Sequence, residues 1–156
     1  MAGVRERCGR DFVLGVRLSA EEEYPAGMHL ADTLDVVRRL AEVSPPDYLS
    51  ITHGVRGAYV KDVTQPNGVA VDSAAAIKAA TPIPVVVGSR IQGARLAAEI
   101  LERGAADLVG TARALIADPD WVKKARAGRD AEIRPLHRDQ PGVPQLPGGA
   151  PLRGQS

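Results

Sequence analysis

Apolar residues gather in four short runs along the chain, and each run leads into a stretch with helical spacing. The runs are DFVLGVRLS (11–19), DYLSITHG (47–54), IPVVVGS (83–89) and ADLVG (106–110). Runs this short and this apolar predict parallel strands covered on both faces. After the first, Leu30, Leu34, Val37 and Ala41 recur at helical spacing while Arg38, Arg39 and Glu42 take the wet side. Asp72 is placed to cap an alanine-rich helix over 72–80, which Thr81-Pro82 ends. Leu96, Ala97, Ile100 and Leu101 stripe a helix over 92–103, and Gly104 supplies its left-handed stop. Asp118-Pro119 reads as an N-cap followed by proline at the first helical position, opening a helix through Trp121 and Val122 to Gly128. Ser19 with Glu22 fits a capping box.

Strand then helix, four times over, predicts the α/β class with parallel βα units. A doubly wound sheet can be built from so few, whereas a (β/α)8 barrel takes eight, of which four are half. For residues 1–130 the count of units leaves both open. The remainder, 131–156, is rich in Pro, Gly, Gln and Arg without periodicity, and is expected to be disordered.

Composition narrows the function. The 156 residues suffice for one domain with a core, and a net charge of +1 leaves no field built for nucleic acid or an anionic membrane. Aromatic residues make up only 3%, too few for a platform on which bases stack. Cys8 is the only cysteine, so neither an internal disulfide nor a cysteine-based metal site is expected. The start MAGVRERCGRD lacks the apolar core of a signal peptide, and no stretch has the ~20 apolar residues of a membrane span. The expected location is cytoplasmic.

Two strand ends carry the chemistry. Gly88-Ser89-Arg90 follows the third run and Gly110-Thr111-Ala112-Arg113 the fourth. Glycine lets backbone N–H groups approach an anion, a helix N-terminus adds positive potential, and arginine brings a permanently charged fork of donors. In (β/α)8 barrels the loops after the last two strands form the usual phosphate site. Either turn alone reads equally as an ordinary βα turn with a solvated arginine; the pair, on consecutive units, favours phosphate.

Arg17 stands near the end of an apolar strand, where a buried cation needs a partner. It aims at an electron-rich ligand atom in the barrel mouth, it pairs with a carboxylate such as Glu21 or Glu22, or it snorkels outward. His53 ends the second run and faces a ligand or is satisfied by backbone; Tyr59, on the loop beyond, is a candidate substrate contact. His29 and His137 are read as solvated. No Walker loop, G-x-G-x-x-G fingerprint after a strand or nucleophile elbow is present. No catalytic and no metal-ligating residue is assigned.

The segments DFVLGVRLSAEE, DYLSITHG, IPVVVGSRI and ADLVGTARALIADPDWVKKARAG, in that order, resemble the C-terminal half of the old yellow enzyme family of NADH:flavin oxidoreductases, on its 2,4-dienoyl-CoA reductase-like branch. The likeness runs over about residues 10–135, and the last segment is its most specific part. The resemblance implies half of a (β/α)8 TIM barrel over residues 1–130. It further implies FMN at the C-terminal mouth of the barrel, with NAD(P)H as reductant in complete relatives. It places Arg17 at the flavin's pyrimidine edge, where its charge would stabilise the N1/O2 locus of the reduced ring. It makes Gly88, Ser89 and Arg90 one phosphate loop and Ala112 and Arg113 a second, approached by Gly110 and Thr111. His53 and Tyr59 fall on the substrate side.

Two departures from the family pattern shape the expectation. The family's N-terminal half, with its first four strands and the branch's tyrosine proton donor, has no counterpart here. Where the branch continues into a cysteine-rich iron–sulfur segment, this chain reads LHRDQPGV (136–143). Codons for those residues, shifted by one base, can read CIGTNQGC, so a reading-frame change is expected and the cluster with it absent; the coding DNA sequence tests this. The expected function is that of an FMN-binding fragment of an NAD(P)H-dependent flavin oxidoreductase, inactive alone, with a homodimer or an N-terminal half-barrel as partner. Alternatives are a non-catalytic module that binds a phosphate ligand or a protein, and a fragment of a sugar-phosphate barrel.

Overall fold

The computed structural model describes residues 1–54 and 66–135. Tyr59, His137 and the tail from 136 on lie outside the described residues.

Four strands form one parallel sheet in the order β1-β2-β3-β4: β1 Gly15–Ser19, β2 Tyr48–Thr52, β3 Val85–Val87 and β4 Leu108–Val109. All four lie inside the predicted runs. The helices between them are α2 Leu30–Val43, α3 Val71–Ala79 and α4 Ala94–Glu102, with α5 Arg113–Ala117 and α6 Trp121–Arg126 after the last strand. A helix not read from the sequence, α1 Ala2–Cys8, precedes β1 and has no buried residue, so no apolar stripe announces it. The arrangement is half of a (β/α)8 barrel: consecutive strands are neighbours and no strand is skipped.

Alternation along the strands separates two faces. Leu49, Ile51, Val85 and Val87 are fully buried and pack with Val37, Ala74, Ile77 and Ile100 from α2, α3 and α4. The opposite face carries Arg17, Ser50, Val86 and Leu108, which the register aligns in one layer across all four strands. Among the described residues no helix covers that layer, and Leu108 is 53% exposed. The expectation of strands buried on both faces is therefore corrected: β1 and β2 alternate because only their helix side is enclosed. Leu101, placed on the apolar stripe of α4, is 45% exposed, whereas Leu96, Ala97 and Ile100 do pack inward.

Aspartates clamp the N-terminal ends of the strands. Asp47 Oδ2 accepts the Leu14 N–H at 2.6 Å and meets Arg5 Nη2 at 2.8 Å, and Arg5 also donates to the carbonyls of Arg10 and Phe12. Asp107 accepts the Val85 N–H and pairs with Lys78, each at 2.8 Å. Both carboxyls are held below the usual aspartate range, Asp47 chiefly by the Leu14 N–H and Asp107 chiefly by Lys78.

Helix ends correct four readings. No helix follows Ser19: its hydroxyl donates to the carbonyls of Glu21 and Gly54, and the Glu22 carboxylate accepts from Met28 N–H. The cap falls at His29, whose N–H donates to Asp32 Oδ2 at 3.0 Å as α2 begins. His29 is thus a paired residue: its Nδ1 lies 2.8 Å from Glu21 Oε1, which holds the imidazole pKa above its ordinary value. At α3 the N-cap is Ala70, with Asp72 inside the first turn. The expected stop at Gly104 (φ 69) is found. The expected cap at Asp118 is not: α6 starts at Trp121 with Asp120 as its N-cap, and Asp118 ends α5, its Oδ1 accepting the Asp120 N–H at 3.1 Å.

Candidate functional site

The C-terminal ends of the strands open on a cavity of about 560 Å³. Its lining includes Arg17, Gly88, Ser89, Arg90, Gly110, Thr111, Ala112 and Arg113, so all eight residues predicted for the site meet in one place. Parallel pairing explains why. β3 and β4 end side by side, and the turns leaving them begin from hydrogen bonds of the ladder: Gly88 N–H donates to the Ile51 carbonyl and Gly110 N–H to the Val87 carbonyl. Thr111 Oγ1 then reaches the Ile91 carbonyl at 3.4 Å, which ties one turn to the other.

Backbone conformation sets the first turn apart. Ser89 (φ 75) and Arg90 (φ 55) are consecutive non-glycine residues in the left-handed region. Each such residue costs on the order of 1 kcal/mol and persists only where its surroundings over-determine it. Ser89→Gly should therefore raise stability by about 1 kcal/mol in chemical denaturation. A loss of stability would instead show that the Ser89 side chain contributes more than its conformation costs.

Left-handed backbone is not what places the two glycines here. Neither Gly88 nor Gly110 has a positive φ, and a Cβ on either would meet only ordinary contacts at 3.6–3.9 Å. The chain's own packing does not demand glycine at these positions; the space is turned toward the cavity. The N–H groups of Ser89, Thr111 and Ala112 have no acceptor among the described residues. Unused amides, small residues and two arginines at one rim are the donor set that a phosphate dianion requires.

Arg17 lies one layer inward. Its strand neighbour is Ser50, and Val86 follows on β3, all three lining the cavity. The expectation of a buried cation is corrected: Arg17 is exposed, because its face of the sheet is uncovered, and it makes no ion pair among the described residues. Glu21 and Glu22 are engaged elsewhere, with His29 and the Met28 N–H.

His53 does not line the cavity. It is 12% exposed, with Nε2 at 2.9 Å from Glu23 Oε1 and a buried Nδ1 without a partner among the described residues. Sequence reading missed Ser50, Thr52, Ile91 and Gln92 in the lining. The polar alternation of YLSIT was the signal for the first two.

Comparison with known proteins agrees with this architecture. Residues 1–132 match the NADH:flavin oxidoreductase / NADH oxidase family. The chain is 35% identical over 141 residues to a probable N-methylproline demethylase of Rhizobium meliloti (strain 1021), covering 86% of this chain and 21% of that protein. It is 36% identical over 137 residues to a metal reductase of Desulforamulus reducens, covering 86% and 20%. Among solved structures, the complex of 2-naphthoyl-CoA reductase with 2-naphthoyl-CoA superposes with a TM-score of 0.78 at 23% identity, over 86% of this chain and 21% of that one, a likeness of fold. The chain thus spans about a fifth of the length of these relatives. By the extent of the family match, the chain belongs to the NADH:flavin oxidoreductase / NADH oxidase family.

Proposed function

We propose that this chain forms the phosphate-gripping half of an FMN-binding barrel in an NAD(P)H-dependent flavin oxidoreductase. The observation that carries the reading is the convergence of residues 88–90 and 110–113, with Arg17, on one cavity at the C-terminal rim. The amides of Ser89, Thr111 and Ala112 would take phosphate oxygens, with the guanidinium groups of Arg90 and Arg113 supplying the compensating charge. Arg17, one layer in, would lie against the ring's pyrimidine edge and hold negative charge there. Bound FMN supplies hydride transfer between NAD(P)H and an activated alkene or similar acceptor. Ser50 and Thr52 give the floor of the cavity hydroxyl groups that can orient the ring.

The rest of such a barrel must come from elsewhere. Among the described residues β1 and β4 have open edges and the layer Arg17–Ser50–Val86–Leu108 has no cover. Four more strands, from another part of the protein or from a second chain, would close it. The 156-residue chain alone should bind FMN weakly and turn over little, since half the ring's surroundings are missing. Robust NAD(P)H-dependent enone reduction by the purified chain would overturn that. A single cysteine cannot ligate an iron–sulfur cluster that needs four thiolates, so this segment works without one of its own.

The direct test is FMN titration followed by flavin fluorescence, with and without Arg113→Ala. Losing one charge-assisted contact is worth about 1.5–3 kcal/mol, so affinity should fall by roughly 10- to 100-fold. Equal affinity in both proteins would remove the phosphate assignment.

A further inference from the structure

The strained pair Ser89-Arg90 is held from outside by a turn that neither the family likeness nor the rim pattern singles out. Asn67 Oδ1 accepts a hydrogen bond from Arg90 Nε at 3.2 Å, and the Gly68 N–H donates to the Arg90 carbonyl at 3.1 Å. The two bonds grip Arg90 at both its side chain and its backbone. Gly68 can do this because it is itself left-handed (φ 71), and a Cβ there would come within 3.1 Å of Val71 Cγ2. Val71 N–H closes the turn on the Gly68 carbonyl at 2.8 Å, so the 67–68 turn is anchored to the start of α3.

A guanidinium is planar and rigid, so fixing Nε fixes the plane of the whole group. We infer that Asn67 is a positioning residue: it orients Arg90 toward the anion of the ligand and so sets the preference for a phosphorylated over an unphosphorylated flavin. The inference rests on the phosphate reading above and goes further, by giving that site a selectivity determinant on a different loop. Asn67 contributes no charge and acts only through Arg90. Its removal therefore weakens binding of the phosphate without touching the part of the cavity beside Arg17 and Ser50.

The experiment compares FMN with riboflavin, which lacks the phosphate, on the 156-residue chain. The FMN-over-riboflavin affinity ratio is measured by fluorescence quenching in the unaltered chain, Asn67→Ala, Arg90→Ala and the double variant. Arg90→Ala should lower the ratio about tenfold, Asn67→Ala should take most of that, and the double variant should match Arg90→Ala alone. Arg90→Lys keeps the charge but has no Nε donor, so it probes the same bond from the other side and should lower the ratio severalfold even if Asn67→Ala fails to fold. A ratio unchanged by Asn67→Ala and Arg90→Lys, additive losses in the double variant, or equal weakening of both flavins overturns the inference while leaving the phosphate reading in place. An unaltered chain with no preference for FMN overturns the phosphate reading and this inference together.

Discussion

Ile51→Ala should cost the protein about 2–5 kcal/mol. Ile51 is fully buried near the C-terminal end of β2, with Leu18 beside it on β1 and Val87 on β3. Helices cover its face of the sheet, so the side chain has no route to relax toward solvent and the cavity left by truncation stays open. Domains of this size have about 5–15 kcal/mol in total, and a sheet with one open face should sit at the low end. The variant would then lie near the limit of folding. The effect reaches the site as well, because the Ile51 carbonyl accepts the Gly88 N–H that starts the first rim turn. Urea unfolding followed by circular dichroism measures the loss, and Ile51→Val should cost only about 0.5–1.5 kcal/mol. A loss below about 1 kcal/mol for the alanine variant would mean that the helix layer does not pack on β2 as described.

The strands and their order were legible because burial on one side of a sheet leaves a local trace: β-branched and leucine residues at alternate positions, then a turn. The rim site was legible for the same reason. In a parallel sheet every strand presents its C-terminal end to the same side, so glycine and arginine after consecutive runs must end near each other. What escaped reading was contact without local pattern. Asn67 reaches Arg90 across 23 positions, and Arg5 reaches Asp47 across 42. No periodicity encodes either pair. The environment of Arg17 escaped differently: a short apolar strand reads as doubly covered, and only the polar residues at 50 and 52 hinted that one face is open. His29 looked solvated because a histidine before an acidic helix start has no stronger signature, yet Glu21, folded back by the loop after β1, turns it into a cap partner.

The same division of labour governs stability. Aspartates clamp the N-terminal ends of β1, β2 and β3, away from the cavity, while the C-terminal ends carry strained backbone and exposed arginines. Rigidity at one end lets the other hold a costly conformation. α5 connects the two requirements. It starts at Arg113 in the rim and ends against Asp118, so whatever holds its end also sets where Arg113 begins.

Asp118 should be the acid-sensitive latch of this segment. It is 1% exposed, and its carboxylate gathers Lys124 Nζ at 2.6 Å, the Arg134 N–H at 2.9 Å and the Asp120 N–H at 3.1 Å. Lys124, followed by the Arg134 N–H, holds the carboxyl pKa at about 2 against an ordinary 3.8. The folded carboxylate therefore binds its proton less tightly than the unfolded one, and protonation favours opening. Its contribution is complete above about pH 4 and drains away as pH falls toward 2, the reverse of what a raised pKa would give. Asp118→Asn keeps the shape and one acceptor for Asp120, but it leaves the Lys124 ammonium and the Arg134 N–H without their charged partner. At neutral pH the variant should melt several degrees lower, and its amides from 113 to 134 should exchange faster than those of β2 and β3. From pH 4 to 2 the gap between the two proteins should narrow, because the unfolded carboxyl takes up its proton there while the folded one, with its pKa at about 2, still resists it. Parallel melting curves across that range, with the gap unchanged at pH 2, would show that Asp118 acts through shape rather than charge. A gap that closes on acidification, with weaker FMN binding in the asparagine variant at neutral pH, would tie the latch to the position of Arg113.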